Sequence, residues 1–434
     1  MSLINNDRRR LLQAFGASAT LAGASLLPGS AFAAPKKGKK LGRVVVIGAG
    51  FGGATAAKYL RKWSDSAIEV ALIERNKEFI SCPTSNEVLA GHREFDTLVH
   101  SFDGLKKNWG IKVVHAAVTA VDPEKRTVKT DRGDSFTYDH LVISPGIDFN
   151  FGAVAGYDEA AQKKILHAWK AGPQTIALRK QLVDLPDGGT FIISIPKAPY
   201  RCPPGPYERA SQVASYFKAH KPKSKILILD ANDKIISKTK LFADNWANDY
   251  KGIIEYLPNW ETVEINAETN MITSEIGDRE RADVINLIPP QTAGKIAHDI
   301  GVVNANNRWA TVDWVTLEST AVQKVHVLGD ATLSAPLMPK SGHMANQHGK
   351  TCAAAVVALL TGKQPNALPI YTNTCYSFVS ADEAVHVASV HRYDAAQKTM
   401  LTVPGSGGVS SAANELEAGY AMGWARNIWA DTLA

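Results

Sequence analysis

The sequence predicts an α/β fold with two Rossmann-like dinucleotide-binding domains and a smaller C-terminal α+β domain. Three observations predict it: a buried strand that leads into a glycine-rich turn at residues 43–53, a strand–helix–strand unit at residues 190–230, and a late strand that ends in Gly-Asp at residues 329–330. The 434 residues are long enough for two or three domains.

The composition is that of an ordinary globular protein, with 45% hydrophobic and 21% charged residues. The formal charge of +6 is partly carried by the basic N-terminal region, and nothing in the pattern calls for a nucleic-acid partner. No apolar run of membrane-spanning length follows residue 40, so we expect no integral membrane segment.

Residues 1–33 have the order of parts found in a twin-arginine export signal. Paired arginines, Arg8 and Arg9, precede a moderately apolar segment at residues 11–27, and Ala31-Phe32-Ala33 supplies a small-x-small cleavage site. The alternative is a short amphipathic helix. Export by this route carries folded proteins to the periplasm, where disulfides persist.

The glycine-rich turn has the spacing of a dinucleotide-binding motif. Gly48 permits the tight bend, Gly50 leaves room for a pyrophosphate, and Gly53 lets the helix at residues 54–62 lie close to its strand. A second strand, residues 69–73, ends at Glu74, whose carboxylate can accept hydrogen bonds from a ribose. An unrelated glycine-rich turn is the alternative.

The rest of the first domain is predicted at residues 41–150 and 295–360. Strand-like pieces at residues 113–121, 127–130 and 141–144 resemble the small β-meander of flavoproteins with two dinucleotide domains, and Asp131 to Asp134 would form a hairpin turn. The remaining candidate cofactor contacts in this part of the chain are Arg75, Val118, Ser144 and Gly146.

The Gly-Asp pair at residues 329–330 follows a strand at residues 324–328. Flavoproteins of the disulfide reductase type, which are glutathione-reductase-like, use such an aspartate to bind the ribityl chain of FAD. Asp330 is therefore a candidate FAD ligand. A helix predicted at residues 343–360 would direct its N-terminus at the flavin ring.

The second α/β unit, residues 151–294, lacks a phosphate loop. Between its first strand (residues 190–195) and its helix (residues 207–220) the turn carries prolines where a nicotinamide site has glycines. Proline removes backbone N–H donors, so this turn cannot hold a second pyrophosphate in the usual way.

The C-terminal domain, residues 361–434, is expected to cover the flavin or form an interface. It carries Trp424 and Trp429, which either line the flavin site or pack in the core or an interface. Core packing is the commoner role of a tryptophan.

Four cysteines are too few for a disulfide framework, and no C-x-x-C or C-x-x-C-H occurs, so we expect neither a metal site nor haem attachment in this chain. Cys352 lies on an apolar helix face and is expected to be a small buried residue. Cys82, Cys202 and Cys375 lie among prolines, polar residues and aromatics. A bond between Cys202 and Cys375 would be either a structural crosslink or a redox pair.

Three short segments around these cysteines are similar to those of one flavoprotein family. They are Ile80-Ser81-Cys82-Pro83, Cys-Pro-Pro-Gly-Pro-Tyr-Glu at residues 202–208, and Asn373-Thr374-Cys375-Tyr376-Ser377. With them, essentially the whole chain resembles the flavoprotein subunit of flavocytochrome c sulfide dehydrogenase. The resemblance implies FAD bound covalently through Cys82, a disulfide between Cys202 and Cys375 against the flavin, and Glu208 as the nearby acid. The alternatives are that Cys82 is a free thiol and that Glu208 only caps the helix or forms an ion pair at its start.

The resemblance also implies a reaction and a partner. Hydrosulfide would attack the disulfide, two electrons would pass to FAD, and sulfur would leave as elemental sulfur or polysulfide. Glu208 would take up a proton. The acceptor would be a c-type cytochrome subunit in a heterodimer, with haem c only in that partner.

Two other functions remain open. A sulfide:quinone oxidoreductase shares this fold and related cysteine chemistry, but the tail at residues 412–434 lacks the basic, strongly apolar face of a membrane-binding helix. A non-catalytic protein that holds FAD for electron transfer or sulfur carriage is the other alternative.

The missing phosphate loop predicts that NADH and NADPH are not electron donors, because the second domain has no glycine turn to bind them. Stopped-flow mixing with NADH should leave the flavin oxidised. Reduction at a catalytically useful rate would contradict this prediction.

Overall fold

The computed structural model describes residues 40–434. The predicted export signal, residues 1–33, lies outside the described residues. None of the helices within residues 40–434 is both long and apolar enough to cross a membrane.

The helices of the described chain are given first. In chain order they are α1 (Phe51–Trp63), α2 (Ser85–Ala90), α3 (Asp103–Trp109), α4 (Pro173–Asp184), α5 (Gly205–His220), α6 (Thr239–Asp249), α7 (Lys295–Ile300), α8 (Gly342–Leu360) and α9 (Glu415–Leu433).

The strands fall into three stretches of the chain. The first holds β1 (Gly42–Ile47), β2 (Ile68–Ile73), β3 (Phe79–Ile80), β4 (Val99–His100), β5 (Lys112–Val114), β6 (Val118–Asp122), β7 (Thr127–Thr130), β8 (Ser135–Thr137), β9 (His140–Ile143) and β10 (Ile147–Phe149). The second holds β11 (Thr190–Ile195), β12 (Lys225–Asp230), β13 (Ile254–Pro258), β14 (Thr262–Asn266), β15 (Met271–Ser274), β16 (Arg279–Arg281), β17 (Val284–Leu287) and β18 (Gln291–Ala293). The third holds β19 (Val303–Ala305), β20 (Trp309–Ala310), β21 (Val325–Val327), β22 (Ile370–Phe378), β23 (Ala384–Asp394), β24 (Thr399–Thr402) and β25 (Gly408–Val409).

The first sheet is parallel, with strand order β21-β9-β1-β2-β5. Its central strand is buried from Val44 to Ile47, as expected for a parallel strand covered on both faces. Strand β21, from much later in the chain, pairs with β9 at Val325↔Leu141. Because all five strands point the same way, the loops after β1, β2, β9 and β21 leave from one edge of the sheet.

The second sheet is also parallel, with order β13-β12-β11-β17, and α5 follows β11. The third sheet is antiparallel, built from β22, β23, β24 and β25. This sheet and the final helix α9 form the C-terminal domain. The predicted fold class is confirmed.

Helix α9 is held against the first domain by polar contacts. The Lys58 ammonium of α1 donates to the carbonyl oxygens of Ala430 at 3.0 Å and Asp431 at 2.9 Å. The side chain of Asn346 on α8 also donates to the Asp431 carboxylate at 2.8 Å. These contacts hold α9 beside α1 and α8.

One predicted element is wrong. Residues 113–121 were expected to form a single strand, but the chain breaks between β5 (Lys112–Val114) and β6 (Val118–Asp122). The break arises because β5 pairs with β2 in the parallel sheet, whereas β6 pairs with β7 in the antiparallel meander. At the junction the Ala116 N–H turns back to the Glu74 carbonyl at 3.1 Å.

Candidate functional site

A cavity of about 650 Å³ lies at the carboxyl edge of the first sheet and extends to α5, β22 and α9. This volume is within the range of small-molecule sites. Of the predicted site residues, those lining the cavity are Gly48, Gly50, Glu74, Arg75, Cys82, Val118, Ser144, Gly146, Cys202, Glu208, Asp330 and Cys375.

The glycine turn has a different steric constraint at each of its three positions. Gly48 has φ +90°, and a Cβ atom there would lie 2.4 Å from the Ser144 carbonyl oxygen. A Cβ on Gly53 would lie 1.9 Å from the Gly48 carbonyl oxygen, so α1 approaches the turn too closely for any side chain. A Cβ on Gly50 would meet nothing within 4 Å. The absence of a side chain at Gly53 therefore lets α1 pack directly against the turn, whereas its absence at Gly50 leaves open space in the cavity.

Glu74 is held at the end of β2 by backbone donors. Its carboxylate accepts from the N–H of Ala49 at 2.8 Å and from the N–H of Asn76 at 2.9 Å. These contacts fix the carboxylate beside the glycine turn, and its position agrees with the predicted ribose contact. The ribose contact itself stays a prediction.

Asp330 follows β21 and carries a buried oxygen, Oδ1, that has no hydrogen-bond partner within residues 40–434. Burial raises the pKa of this carboxyl, and the charges of Arg201 and Lys340 oppose the rise. A buried acceptor left without a partner costs free energy unless a ligand donates to it. The hydroxyls of a ribityl chain are such donors, so Asp330 and Gly50 fit a bound FAD.

Lys340 links the Asp330 loop to the turn that carries Cys202. Its ammonium donates to the Asp330 carbonyl at 2.9 Å and lies 3.7 Å from the centre of the Trp309 ring. Its own carbonyl accepts from the Cys202 N–H at 2.8 Å. Burial lowers the pKa of Lys340 to about 7.

Cys82 lies between β3 and α2, beside the guanidinium of Arg201. Burial works against ionisation of the thiol, but the charge of Arg201 and a backbone hydrogen bond from Ala171 outweigh it and lower the pKa of Cys82. Thiolate is the nucleophilic form of cysteine, so this environment makes Cys82 reactive.

Cys202 and Cys375, from distant parts of the chain, meet in the cavity. Both are thiols in this structure, both line the cavity, and each is close enough to shift the pKa of the other. The neighbouring Cys202 thiol, with a contribution from Lys238, lowers the pKa of Cys375 to about 7, although burial opposes it. The Cys375 thiol and burial raise the pKa of Cys202. This proximity is consistent with a disulfide between the two sulfurs.

Glu208 lies in the first turn of α5, buried next to this pair. Burial raises the pKa of its carboxyl to about 8, and the charges of Cys375 and Glu87 add to the rise. Lys238 and the N–H of Phe378 oppose it. A carboxyl with this pKa can hold or release a proton near neutral pH.

The two tryptophans of α9 take different positions. Trp424 lines the cavity, with its ring 5.9 Å from His343 and 6.3 Å from Tyr376. Trp429 packs on the His100 ring at 4.6 Å and donates to the Ser81 hydroxyl at 2.9 Å, next to Cys82. Cys352 is fully buried in α8, as expected.

Sequence reasoning missed several cations at or beside the site, among them Arg201, Arg209, Lys238 and Lys340. Arg201 directly precedes Cys202, and that adjacency is the one signal that pointed to it. Lys238 and Lys340 belong to no motif, because their roles depend on burial against residues far away in the chain.

Three family profiles match the chain. They are "Pyridine nucleotide-disulphide oxidoreductase" over residues 42–175, "Sulfide dehydrogenase [flavocytochrome c] flavoprotein chain, central" over residues 175–289, and "Flavocytochrome c sulphide dehydrogenase, flavin-binding" over residues 367–433. Together they span both dinucleotide-type units and the C-terminal domain.

The chain is also similar to individual proteins and to a solved structure. The chain is 59% identical over 46 residues, 11% of its length, to 94% of the known sequence of the sulfide dehydrogenase flavoprotein chain of Chlorobaculum thiosulfatiphilum. It is 24% identical over 324 residues, 70% of its length, to 69% of the mitochondrial sulfide:quinone oxidoreductase of Mus musculus. The structure of the sulfide:quinone oxidoreductase from Aquifex aeolicus superposes with a TM-score of 0.73 at 18% identity, covering 90% of this chain and 91% of that one.

The glycine turn predicts opposite outcomes for two alanine variants. Gly53→Ala should lower the free energy of unfolding by about 1–3 kcal/mol, because its Cβ overlaps the Gly48 carbonyl. Gly50→Ala should leave the unfolding of the flavin-free protein unchanged and reduce the fraction of protein purified with flavin. Thermal unfolding and the flavin-to-protein absorbance ratio measure the two effects.

Gly419→Ala is the matched control, since a Cβ on this glycine of α9 also meets nothing within 4 Å and the residue does not line the cavity. Full flavin content in Gly50→Ala would contradict the assignment of this space to the cofactor.

Proposed function

The chain belongs to the family of flavoprotein chains of flavocytochrome c sulfide dehydrogenase, and we propose that it oxidises hydrosulfide through a disulfide between Cys202 and Cys375. The chemistry common to this family and its sulfide:quinone oxidoreductase relatives is flavin-dependent sulfide oxidation. The observation that supports the finer proposal is the proximity of the Cys202 and Cys375 thiols in the cavity, with Glu208 buried beside them.

FAD, when bound, accepts two electrons from the sulfur chemistry and releases them to an acceptor. The chain would hold it through the glycine turn, Glu74 and Asp330. Cys82 would provide covalent attachment, because its thiol is acidified by Arg201 and lies in the cavity lining. The N-terminus of α8, with Ser341 and Gly342, lies in the same cavity and favours negative charge there.

The disulfide is the group that hydrosulfide attacks. The new bond joins the incoming sulfur to one cysteine, the disulfide bond breaks, and its electron pair stays on the other cysteine as a thiolate. Glu208 holds a proton below about pH 8 and is placed to exchange it with these sulfurs. The step needs no group beyond the two cysteines and the substrate.

The electrons would pass to a c-type cytochrome subunit in a periplasmic heterodimer. This chain carries no C-x-x-C-H sequence, so haem c would belong to the partner. Support comes from the similar Chlorobaculum protein, described as the flavoprotein chain of a flavocytochrome c. The twin-arginine signal proposed at residues 1–33 would bring the chain to the periplasm.

Attachment at Cys82 predicts that flavin stays with the pellet when the purified protein is precipitated with acid. Cys82→Ser should release the flavin into the supernatant, because a hydroxyl does not form the thioether. Cys352→Ala is the control, since this cysteine lies in the core away from the cavity. Release of flavin from the unmodified protein would contradict covalent attachment.

Removal of either redox cysteine predicts loss of turnover without loss of cofactor. Cys202→Ser and Cys375→Ser should each lower sulfide-dependent reduction of a soluble c-type cytochrome by about 100-fold or more, since neither can form the disulfide. Flavin content should stay near that of the unmodified protein.

The acceptor is tested in the same assay with a short-chain quinone in place of the cytochrome. Full activity in both cysteine variants would reject the disulfide. Faster reduction of the quinone than of the cytochrome by the unmodified protein would favour a sulfide:quinone oxidoreductase instead.

A further inference from the structure

A buried ammonium, that of Lys238, lies behind the Cys202 and Cys375 pair. Lys238 is only 7% exposed and precedes α6. Its Nζ donates to the Ser377 hydroxyl at 2.7 Å and to the Val385 carbonyl at 3.3 Å. Within residues 40–434 it forms no ion pair with a carboxylate, and it is not among the residues that line the cavity. A buried cation without a direct counter-ion carries a large desolvation cost.

The hydrogen bond to Ser377 places this charge next to Cys375. Cys375 and Ser377 are two residues apart on β22, which pairs in unbroken register with β23 at Cys375↔Val387 and Ser377↔Val385. Side chains two residues apart in a strand point to the same face. The ammonium that binds the Ser377 hydroxyl therefore lies on the same face of the sheet as the Cys375 sulfur.

Two other cations, Arg201 and Arg209, lie near Cys202 and differ in their partners: Arg209 is bound by amide and carbonyl oxygens. Arg201 lies beside Cys202, but its charge is shared with Cys82 and with the Asp330 carboxyl. Among carboxyl groups, Glu208 has the strongest electrostatic effect on Lys238. The pKa of Glu208 is raised to about 8, so this carboxyl is largely protonated at neutral pH. Lys238 is thus the cation that acts on Cys375, whereas Arg201 and Arg209 act on Cys202.

We propose that Lys238 is a positioning residue for sulfide oxidation: it stabilises a thiolate on Cys375, so that hydrosulfide attacks Cys202 and Cys375 is the leaving group. This inference rests on the proposed function. The sulfur of HS⁻ bonds to the Cys202 sulfur, the bond between the two cysteines breaks, and its electron pair goes to Cys375. The products are a persulfide on Cys202, which keeps the proton of HS⁻, and a thiolate on Cys375.

The charges around Cys375 determine the pH above which its thiolate is present. The Cys375 pKa of about 7 means that the thiolate is present above neutral pH and is lost as the pH falls. Removal of the Lys238 charge should raise the pKa of Cys375, so the thiolate would form only at higher pH. The titratable and charged groups that act on the cluster are Cys202, Glu208, Lys238, Glu87, Glu417, Arg201 and Arg209.

The first test measures the acidity of each cysteine in the reduced holoprotein. The protein is reduced with a phosphine and alkylated with iodoacetamide from about pH 5 to about pH 9, and peptide mass spectrometry follows Cys202 and Cys375 separately. In the unmodified protein Cys375 should react with a midpoint near pH 7. In Lys238→Met the midpoint should rise by about one pH unit or more, with about tenfold slower alkylation at neutral pH.

Two variants serve as controls. Lys238→Arg should keep the midpoint near that of the unmodified protein, because the charge is retained. Lys240→Met removes an exposed lysine two residues away, paired with Asp244 on the surface, and should change nothing. If Lys238→Met does not fold, Ser377→Ala removes the hydroxyl that holds the ammonium and should raise the midpoint by a smaller amount. An unchanged midpoint in the variants that fold would overturn the proposal.

The second test locates the new sulfur. The oxidised protein is mixed with one equivalent of sulfide, quenched in acid and alkylated, and the peptide with one extra sulfur atom is identified. The extra sulfur should lie on Cys202. Its presence on Cys375 would overturn the role of Lys238 while leaving the disulfide mechanism intact, whereas no extra sulfur on either cysteine would reject the proposed function itself.

Discussion

Parallel pairing of β21, β9, β1 and β2 is the constraint on which the site depends. Each of these strands ends at the same edge of the sheet, so the residues that follow them, Gly48, Glu74, Ser144 and Asp330, meet there although they come from both ends of the described chain. The close approach of Gly53 to the Gly48 carbonyl sets the distance between α1 and this edge. A change in that packing would displace the glycine turn, because a Cβ on Gly53 would lie 1.9 Å from the Gly48 carbonyl oxygen.

The pKa values of the site residues are set by two opposing effects, burial and the charges of neighbouring side chains. Arg201 acidifies the Cys82 thiol against the effect of burial, and burial keeps Glu208 protonated to about pH 8 despite the nearby Lys238. In a low-dielectric interior such charges act strongly on their neighbours. Cys82 and Cys375 therefore have different cationic neighbours, Arg201 and Lys238, which allows thiols in one cavity to differ in reactivity.

Much of this arrangement follows from the sequence, and the part that does not has a physical reason. The glycine spacing, the acid after β2 and the Gly-Asp after β21 are local patterns with known steric roles, so their convergence was predictable. The break between β5 and β6 was not, because it depends on which of two sheets each segment joins. Lys238 and Lys340 were missed for a similar reason: a lysine in a polar stretch looks solvent-exposed until tertiary packing buries it.

Flavin-dependent sulfide oxidation by this chain is tested most directly by mixing the purified oxidised protein with sulfide in the absence of oxygen and following the visible absorbance of its flavin. Complete bleaching is expected, at a rate that rises with sulfide concentration and ahead of any electron transfer to an added acceptor. A flavin that stays oxidised in the presence of excess sulfide would contradict it and would leave the chain as a protein that only holds its cofactor.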